Sequence, residues 1–490
     1  GINGYLETLT EIANGSVRKP KQVEVNSRGR TVAQVYPSNF YSWLITNGVK
    51  GEVWMEDEVT PANLTEHTAT FYKEKGSEGK VALVLGAGNI NSIAPLDALY
   101  KLIADGEVVL LKLNPVNDYL GPVLRKAFSP LVEAGYFEVA YGGGDVGSYL
   151  TNHSGIDSVH ITGSGRTYEK ILYGSGPDGE ARKAADDPLL DKPITSELGG
   201  VTPIIVVPGD WSEADIRFQA ERIVTAKLHN AGCNCVAAQV IITDKNWEKR
   251  DLLLAEIERL MKTLPPRTAY YPGADQRAQA AVDAHPQALE MGDGVPRVLI
   301  RDLDPKADEA CFTDEYFTTV LGETPLEANG PADFLHKAVD FANTQLEGTL
   351  GASILVDPKT AAALGEALEK GIDDLRYGAI GINLWSGVAF LLPECAWGGI
   401  AGQTNRDIQS GIGFVHNVFL FDKPQKSVVR GSFYSFPRGM LHGDFAILPR
   451  PPWFVTNKTG HLTAKRVAYF AMDPGPQHLP GIFAAALRGM

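Results

Sequence analysis

The chain has 490 residues, with 45 Lys and Arg against 59 Asp and Glu, so its formal net charge is −14. With 44% hydrophobic and 21% charged residues, it has the composition of a folded globular protein, which excludes disorder as the dominant state. The acidic balance argues against a broad nucleic-acid surface and against binding to an anionic membrane. The sequence contains no run of about 18 apolar residues, so no membrane span is predicted.

The N-terminus and the cysteine content indicate the compartment. The first residues show no basic segment followed by an apolar one, so we expect no signal peptide. Four cysteines in a chain of this length do not form a disulfide framework and fit a reducing cytoplasm. They are Cys233, Cys235, Cys311 and Cys395.

Residues 1–75 are predicted to be irregular or helical, with a hairpin around Ser27–Gly29. From residue 76 to 196, short apolar runs alternate with helical patterns. This alternation predicts βαβ units and a parallel sheet. The predicted strands are Val81–Leu85, Val108–Leu111, Phe137–Ala140 and Ser158–Ile161.

A second α/β domain is predicted to begin at residue 197 and to run to about 375. Its first helix is expected to open at Ser212, which with Asp215 resembles a capping box. Its predicted strands are Pro203–Val207, Val240–Thr243 and Ala352–Val356. Residues 433–490, rich in proline and aromatic residues, are predicted to form an extended arm.

The segment Gly86-Ala-Gly88-Asn-Ile-Asn91 follows a predicted strand and opens a helix. This placement suits a dinucleotide fingerprint, although Asn91 stands where the third glycine is usual. A tight turn that simply ends the strand explains the two glycines equally well.

Cys235 is predicted to follow a helix in a turn containing Gly and Asn, where backbone N–H groups can stabilise a thiolate or an oxyanion. An inert buried thiol is the alternative. A metal site built from Cys233, Cys235 and His229 is disfavoured, because the spacing is poor for zinc. Glu197, beside two glycines, is either a base reaching into a cleft or a solvated turn residue.

Taken together, the motifs from about residue 80 to 420 resemble the aldehyde dehydrogenase superfamily. The sequence carries the Glu-Leu-Gly-Gly motif at 197–200 and the cysteine motif Asn230-Ala-Gly-Cys-Asn-Cys235, in which Cys233 replaces a glutamine. Further matches are Thr162-Gly-Ser164, Lys112, Glu315-Tyr-Phe317, Ile382-Asn383, and Pro393 with Gly398-Gly399.

The resemblance implies an α/β fold with two parallel-sheet domains. Residues 76–196 would form a Rossmann-like cofactor domain, and residues 197–375 a catalytic domain bearing the cysteine. Residues 376–432 would return to the cofactor domain and supply an oligomerisation strand at Asn417–Phe421.

The resemblance also implies NAD- or NADP-dependent oxidation of an aldehyde to an acid. Cys235 would attack the carbonyl carbon and form a thioester, and Glu197 would activate the water that hydrolyses it. A side-chain amide would hold the oxyanion. We assign this role to Asn91, with Asn89 and Ser92 as alternatives.

For the cofactor, the resemblance implies Lys112 at the adenine ribose and Ser164 at the pyrophosphate, with Asn114 and Gly163 as further cofactor-binding residues. Glu315 would hold the nicotinamide ribose, and Phe317 would flank the ring. Pro115 stands where a carboxylate selects NAD, so NAD and NADP both stay open. No metal is expected.

Two other functions stay open: a reductase that exchanges the thioester with coenzyme A, and a non-catalytic scaffold of the same fold. A small-molecule aldehyde and a homodimer or homotetramer are the expected partners. The aromatic arm could wrap a partner subunit, cap the substrate tunnel or fold on its own subunit. Trp385 and Phe390 line the tunnel or belong to the core.

Overall fold

The computed structural model describes residues 1–74, 76, 78–292, 296–443 and 450–489. It is an α/β protein with two large sheets, one of five strands and one of eleven. Within the described residues, no helix has both the length and the apolar character needed to cross a bilayer.

All neighbouring strands of the five-stranded sheet are parallel, as the alternating pattern predicted. The strands, in spatial order, are Phe137–Ala140, Val108–Lys112, Val81–Leu85, Ser158–Gly163 and Ile194–Leu198. The accompanying helices are Ile93–Ile103, Gly121–Ala127, Ser129–Glu133, Gly144–Thr151, Gly165–Tyr173 and Gly176–Ala185, with a 3₁₀ turn at Pro115–Leu120. The chain reverses direction across the sheet beside Val81–Leu85, which opens a crevice at the carboxyl ends of the strands.

The eleven-stranded sheet has a parallel centre flanked by antiparallel strands. Its strands, in spatial order, are Gln22–Val25, Thr31–Tyr36, Lys50–Met55, Pro424–Arg430, Ala379–Ile382, Gly351–Leu355, Thr202–Val206, Ala238–Asp244, Val320–Leu326, Arg297–Ile300 and Leu289–Met291. Its helices are Glu213–Leu228, Arg250–Thr263, Ala274–Ala284, Ala310–Thr313, Pro331–Gln345, Pro358–Leu364, Glu366–Asp374 and Val388–Leu391. A two-stranded ribbon, Ala396–Trp397 with Val415–His416, completes this part.

The N-terminal segment contains more regular structure than the sequence suggested. After the helix Ile2–Ala13, the expected hairpin forms with Val25 paired to Thr31. Its second strand and Lys50–Met55 extend the large sheet, because alternate residues such as Ala33 and Val35 are buried against the core. A helix at Phe40–Ile45 and a 3₁₀ turn at Thr70–Lys73 complete the segment.

Residues 376–432, expected to return to the cofactor domain, contact both sheets. The strands Ala379–Ile382 and Pro424–Arg430 pair within the eleven-stranded sheet. The N–H groups of Ser196 and Leu198, in the smaller sheet, donate to the Ile412 and Ser410 carbonyls at 2.9 and 3.0 Å. Asn417–Phe421, expected as an edge strand, is not a strand. It is a buried turn in which the Asn417 side chain donates to the Phe421 carbonyl at 2.7 Å. The boundary expected at residue 197 also falls inside the strand Ile194–Leu198 of the smaller sheet.

The C-terminal region is helical rather than extended. It contains the helices Arg438–Leu441, Gly460–Met472 and Leu479–Leu487, and a 3₁₀ turn at Pro476–His478. It packs on the helix Glu213–Leu228 of the same chain: Arg438 pairs with Asp215 at 2.8 Å, and the Val455 N–H donates to the Thr225 hydroxyl at 3.2 Å. Of the prolines that suggested an arm, Pro449 lies outside the described residues.

Candidate active site

The helix Glu213–Leu228 is followed directly by residues 229–235, the cysteine loop. The predicted capping box forms, since the Ser212 hydroxyl accepts from the Asp215 N–H. At the other end, Asn230, Ala231 and Gly232 adopt left-handed backbone angles with φ of 53°, 54° and 75°. A Cβ at Gly232 would lie 2.4 Å from the Thr318 carbonyl oxygen, so only glycine fits there. Strained backbone of this kind persists where its surroundings fix it, as at functional sites.

Two asparagines tie the cysteine loop to the five-stranded sheet. The Asn230 side chain donates to the Asn89 carbonyl at 3.0 Å and to the Cys233 carbonyl at 2.9 Å. The Asn89 side chain donates to the same Cys233 carbonyl at 3.3 Å. On the far side of Cys235, the Trp385 indole donates to the Val236 carbonyl at 2.8 Å. The loop is therefore held from both domains, and Trp385 is a buried support for it.

Cys235 differs from the other cysteines in exposure. It is partly exposed, whereas Cys233, Cys311 and Cys395 are buried, and all four are free thiols. Burial, followed by the negative charges of Glu197 and Glu315, raises the pKa of Cys235 well above its ordinary value. The thiol is therefore protonated at neutral pH and needs a neighbouring base to become a nucleophile.

Glu197 lies beside this thiol on the edge strand of the smaller sheet and is only 2% exposed. Burial, with a contribution from the charge of Asp97, raises the pKa of Glu197 to about 8. Cys235 and the Trp397 indole act in the opposite direction. Among the described residues, neither carboxylate oxygen has a partner with hydrogen-bond geometry. A base with a pKa close to neutrality suits proton transfer in both directions.

Glu315 is the third acid of the site. A Cβ at Gly199 would lie 2.0 Å from the Glu315 Oε1 atom. The carboxylate therefore fits only because this residue of the Glu-Leu-Gly-Gly motif has no side chain. Burial raises the pKa of Glu315 to about 8, opposed by a hydrogen bond from the Gly200 backbone. Cys235, Glu197 and Glu315 are thus brought together, although they are far apart in sequence.

The structure does not bring Asn91 to the cysteine loop. Asn91 is exposed, and its side chain accepts a hydrogen bond from the Tyr119 hydroxyl at 3.1 Å. Asn89, the alternative weighed from the sequence, is 9% exposed and contacts the loop through Cys233. The turn after Gly88 directs Asn89 inward and Asn91 outward, which residue spacing alone could not determine.

The residues expected at the cofactor lie where strands of the smaller sheet end. Lys112 and Gly163 are the last residues of the two strands that flank Val81–Leu85 in the smaller sheet. Lys112 is largely buried, and burial lowers its pKa. Asn114 caps a 3₁₀ turn by accepting from the Val116 N–H at 3.1 Å, and Ser164 caps the helix Gly165–Tyr173.

These residues fit a dinucleotide. Gly163 and Ser164 are exposed at a helix N-terminus, which favours a pyrophosphate. Glu315 Oε1 is a buried oxygen without a partner in the described chain, as expected of a group that awaits a hydroxyl donor. Phe317 has a left-handed backbone and packs against Tyr271, with ring centroids 4.9 Å apart.

Several buried polar residues near the site were missed from the sequence. Lys227 is 1% exposed, and its ammonium group donates to the Thr318 carbonyl at 2.9 Å. Burial lowers the pKa of Lys227 to about 8. Asp97 and His416 are also buried; Asp97 lies near Glu197 and His416 near Asp97, and no periodicity in the sequence marks either residue. Phe390 packs on His416, with ring centroids 4.5 Å apart, as part of this surrounding shell.

Comparison with known proteins adds the family. Residues 57–285 match the model of the aldehyde dehydrogenase family. This segment, nearly half of the chain, is similar to the aldehyde dehydrogenase family. The match includes the Glu-Leu-Gly-Gly motif and the cysteine loop.

Curated proteins that are similar to this chain share part of their length with it. It is 24% identical over 384 residues to beta-apo-4'-carotenal oxygenase of Gibberella fujikuroi, covering 75% of this chain and 64% of that protein. It is 31% identical over 185 residues to 4,4'-diaponeurosporen-aldehyde dehydrogenase of Staphylococcus aureus, covering 36% of each. The chain therefore spans between about a third and two thirds of these relatives.

Crystal structures of aldehyde dehydrogenases share the fold. NADP-dependent glyceraldehyde-3-phosphate dehydrogenase from Bacillus halodurans, complexed with NADP, aligns with a TM-score of 0.55 at 19% identity over 88% of this chain and 77% of that one. An NAD-dependent aldehyde dehydrogenase from Sinorhizobium meliloti aligns with a TM-score of 0.53 at 20% identity over 84% and 70%. The expected α/β fold class is confirmed.

Proposed function

We propose that this chain oxidises an aldehyde to a carboxylic acid with NAD or NADP, through a thioester on Cys235. The observation that carries the proposal is a partly exposed thiol beside a buried glutamate, in a strained loop held from both sheets. The names of the relatives support the class of substrate. A panel of aldehydes would identify the preferred substrate.

In the first half of the reaction, the Cys235 sulfur forms a bond to the carbonyl carbon, and the thiol proton passes to a base. Glu197 is the neighbour suited to accept it, because its pKa of about 8 makes it a stronger base than an ordinary glutamate. The developing oxyanion is held by the Cys235 backbone N–H and by the Asn89 amide, which replaces Asn91 in this role.

Bound at this edge, a nicotinamide cofactor would supply the acceptor for the hydride that leaves the aldehyde carbon. Lys112 and Ser164 suit its ribose and pyrophosphate, and Glu315 suits the hydroxyls of the second ribose. In the second half, Glu197 takes a proton from the water that attacks the thioester carbon. The carbon–sulfur bond breaks, and the acid leaves.

The test of this function is an aldehyde panel with NAD and with NADP, each run with and without coenzyme A. We expect turnover without coenzyme A, because a buried glutamate beside the thiol serves the activation of water. Strict dependence on coenzyme A would instead establish the acylating reductase. Absence of turnover and of cofactor binding throughout the panel would favour a non-catalytic scaffold.

The oxyanion assignment gives a sharp pair of variants. We expect Asn89→Ala to lower kcat by about a hundredfold or more, since one preorganised donor is lost from the oxyanion. Asn91→Ala removes an exposed side chain of the same type in the same loop, and we expect near-normal kcat. Steady-state kinetics of both proteins make the comparison. The reverse result would restore Asn91 to the role.

At the cofactor edge, we expect Lys112→Met to raise the KM for the cofactor by about tenfold while kcat changes little, because one charge-assisted hydrogen bond is lost. The apolar replacement keeps the buried stem packed. The measurement is cofactor titration at saturating aldehyde. An unchanged KM with both cofactors would show that Lys112 does not contact the ribose.

Pro115 lacks the carboxylate that would repel a 2′-phosphate, so use of NADP is part of the proposal. A homodimer or homotetramer is also proposed, and analytical ultracentrifugation measures it. A cytoplasmic location stays a prediction from the cysteine content.

A further inference from the structure

A row of polar side chains crosses the smaller sheet behind Glu197. In adjacent parallel strands, Thr162 is in register with Glu197, and His160 is in register with Thr195. Residues two apart on a strand, and residues paired across strands, share one face of a sheet. All four side chains therefore lie on the same face, which the helix Ile93–Ile103 covers.

Hydrogen bonds connect most of this row. The Thr162 hydroxyl donates to Asp97 Oδ2 at 2.8 Å and lies 3.3 Å from His160 Nε2. His160 Nδ1 is 2.9 Å from the Thr195 hydroxyl. His160 Nε2 also lies 3.7 Å from Asp97 Oδ2. Asp97, Thr162 and His160 are all less than 10% exposed, so these contacts are shielded from bulk water.

The row has a free acceptor at its inner end. Asp97 Oδ1 is buried and has no partner among the described residues, and the same holds for both oxygens of Glu197. The charge of Asp97 raises the pKa of Glu197, so the two carboxyl groups are close enough to interact. Asp97 Oδ1 is therefore a buried acceptor near Glu197 that no described residue occupies.

The outer end of the row reaches the protein surface. His160 and Thr195 line a cavity of about 170 Å³. Asp422, which is exposed, lines the same cavity, so solvent reaches its wall. The hydrogen-bonded part of the row, from Asp97 to Thr195, thus runs from the neighbourhood of the buried base to this cavity.

We propose that Asp97, Thr162, His160 and Thr195 form a proton exit that returns Glu197 to its basic state after each turnover. This inference rests on the proposed function, in which oxidation of the aldehyde leaves a proton on Glu197. The O–H bond on Glu197 breaks as one forms on Asp97. The proton then passes through the Thr162 hydroxyl to His160 Nε2, and the Nδ1 proton leaves through the Thr195 hydroxyl to cavity water.

Other charged groups face this row and set its pH response. Glu315 and Cys235 face Glu197, and His416 faces Asp97. The N-terminal amine lies near His416. Lys101, Asp105 and Asp422 line the cavity. Burial lowers the pKa of His416 to about 4, so this ring is neutral and does not compete for the proton at neutral pH. His160 and Asp97 are positioning residues, because they act on the reaction through Glu197.

The test compares His160→Ala with Ser158→Ala. Ser158 lies on the same strand, and its buried hydroxyl donates to Glu107 at 2.7 Å, outside the row. We expect His160→Ala to keep the first burst of NAD(P)H but to lower steady-state kcat about tenfold. Its kcat should become sensitive to buffer, and imidazole, which fits the emptied position, should restore much of the loss. Ser158→Ala should keep the kcat and pH profile of the unmodified protein.

A second variant keeps the test decisive if His160→Ala does not fold. Thr195→Val is nearly isosteric and removes the hydroxyl that contacts His160. We expect a several-fold lower kcat with an intact burst and an increased solvent deuterium isotope effect. A normal burst with an unchanged kcat, pH profile and isotope effect in these variants would overturn the proton exit. If the unmodified protein shows no burst with any aldehyde, the proposed function fails instead.

Discussion

Replacement of Cys235 by serine is expected to lower aldehyde oxidation by at least about a thousandfold, because the nucleophile of both half-reactions is lost. A serine hydroxyl is a far weaker nucleophile than a thiol at neutral pH, and its ester is hydrolysed less readily than a thioester. The substitution changes one atom at a partly exposed position, so the fold should persist. The measurement is NAD(P)H formation under single-turnover conditions, in which the burst should disappear.

Cys233→Ser is the matched control for this prediction. Cys233 lies two residues away in the same loop, but it is fully buried, and its sulfur is 3.8 Å from the Ala231 carbonyl oxygen. We expect most of the activity to be retained, with some loss of stability. Normal turnover in Cys235→Ser, or a selective loss in Cys233→Ser, would show that the nucleophile is misassigned.

Glu197→Gln is expected to separate the two half-reactions. The amide cannot take a proton from water, so we expect steady-state turnover to fall by about a hundredfold to a thousandfold. If water or substrate accepts the thiol proton slowly in its place, one equivalent of NAD(P)H still accumulates as the thioester forms. Stopped-flow absorbance at the nicotinamide band resolves the burst from the slow phase. Turnover at the normal steady-state rate would remove Glu197 from the mechanism.

The pH dependence supplies an independent check on Glu197. Because its pKa is about 8 in the folded protein, the basic form becomes scarcer by tenfold per pH unit below that value. We therefore expect kcat of the unmodified protein to rise with pH up to about 8, and that of Glu197→Gln to lack this limb.

The same shift predicts a gain in stability for the variant. Between the ordinary carboxyl pKa of 4.5 and about 8, the unfolded chain releases a proton that the folded chain keeps, so stability falls as pH rises across that window. Glu197→Gln removes this penalty, and its melting temperature should exceed that of the unmodified protein at pH 8. An inactive variant that is more stable excludes misfolding as the cause of its inactivity.

Local pattern was sufficient to predict the smaller sheet. Strands buried on both faces, such as Val81–Leu85, read as continuous apolar runs, and the short alternation with helices specified parallel pairing. The pairing partners of Ala379–Ile382 and Pro424–Arg430 could not be read in the same way. A buried apolar run predicts a strand but not the sheet to which the strand belongs. Both strands belong to the larger sheet.

At the site, Cys235 and Glu197 could be chosen because turn composition and motif order marked them. Asn89 could not be separated from Asn91, since both lie in one irregular turn and only the backbone path decides which side chain faces the cysteine loop. Asp97 and His160 carried no motif. Their closeness to Glu197 depends on the register of neighbouring strands and on a covering helix.

The central claim is a covalent thioester on Cys235. The most direct measurement mixes Glu197→Gln with aldehyde and cofactor, quenches the reaction in acid after the burst, and maps the digested protein by tandem mass spectrometry. We predict one acyl group, equal in mass to the substrate acid minus water, on the sulfur of Cys235 and in proportion to the burst. A full burst with Cys235 unmodified, or with the acyl group on Cys233 or another residue, would contradict it.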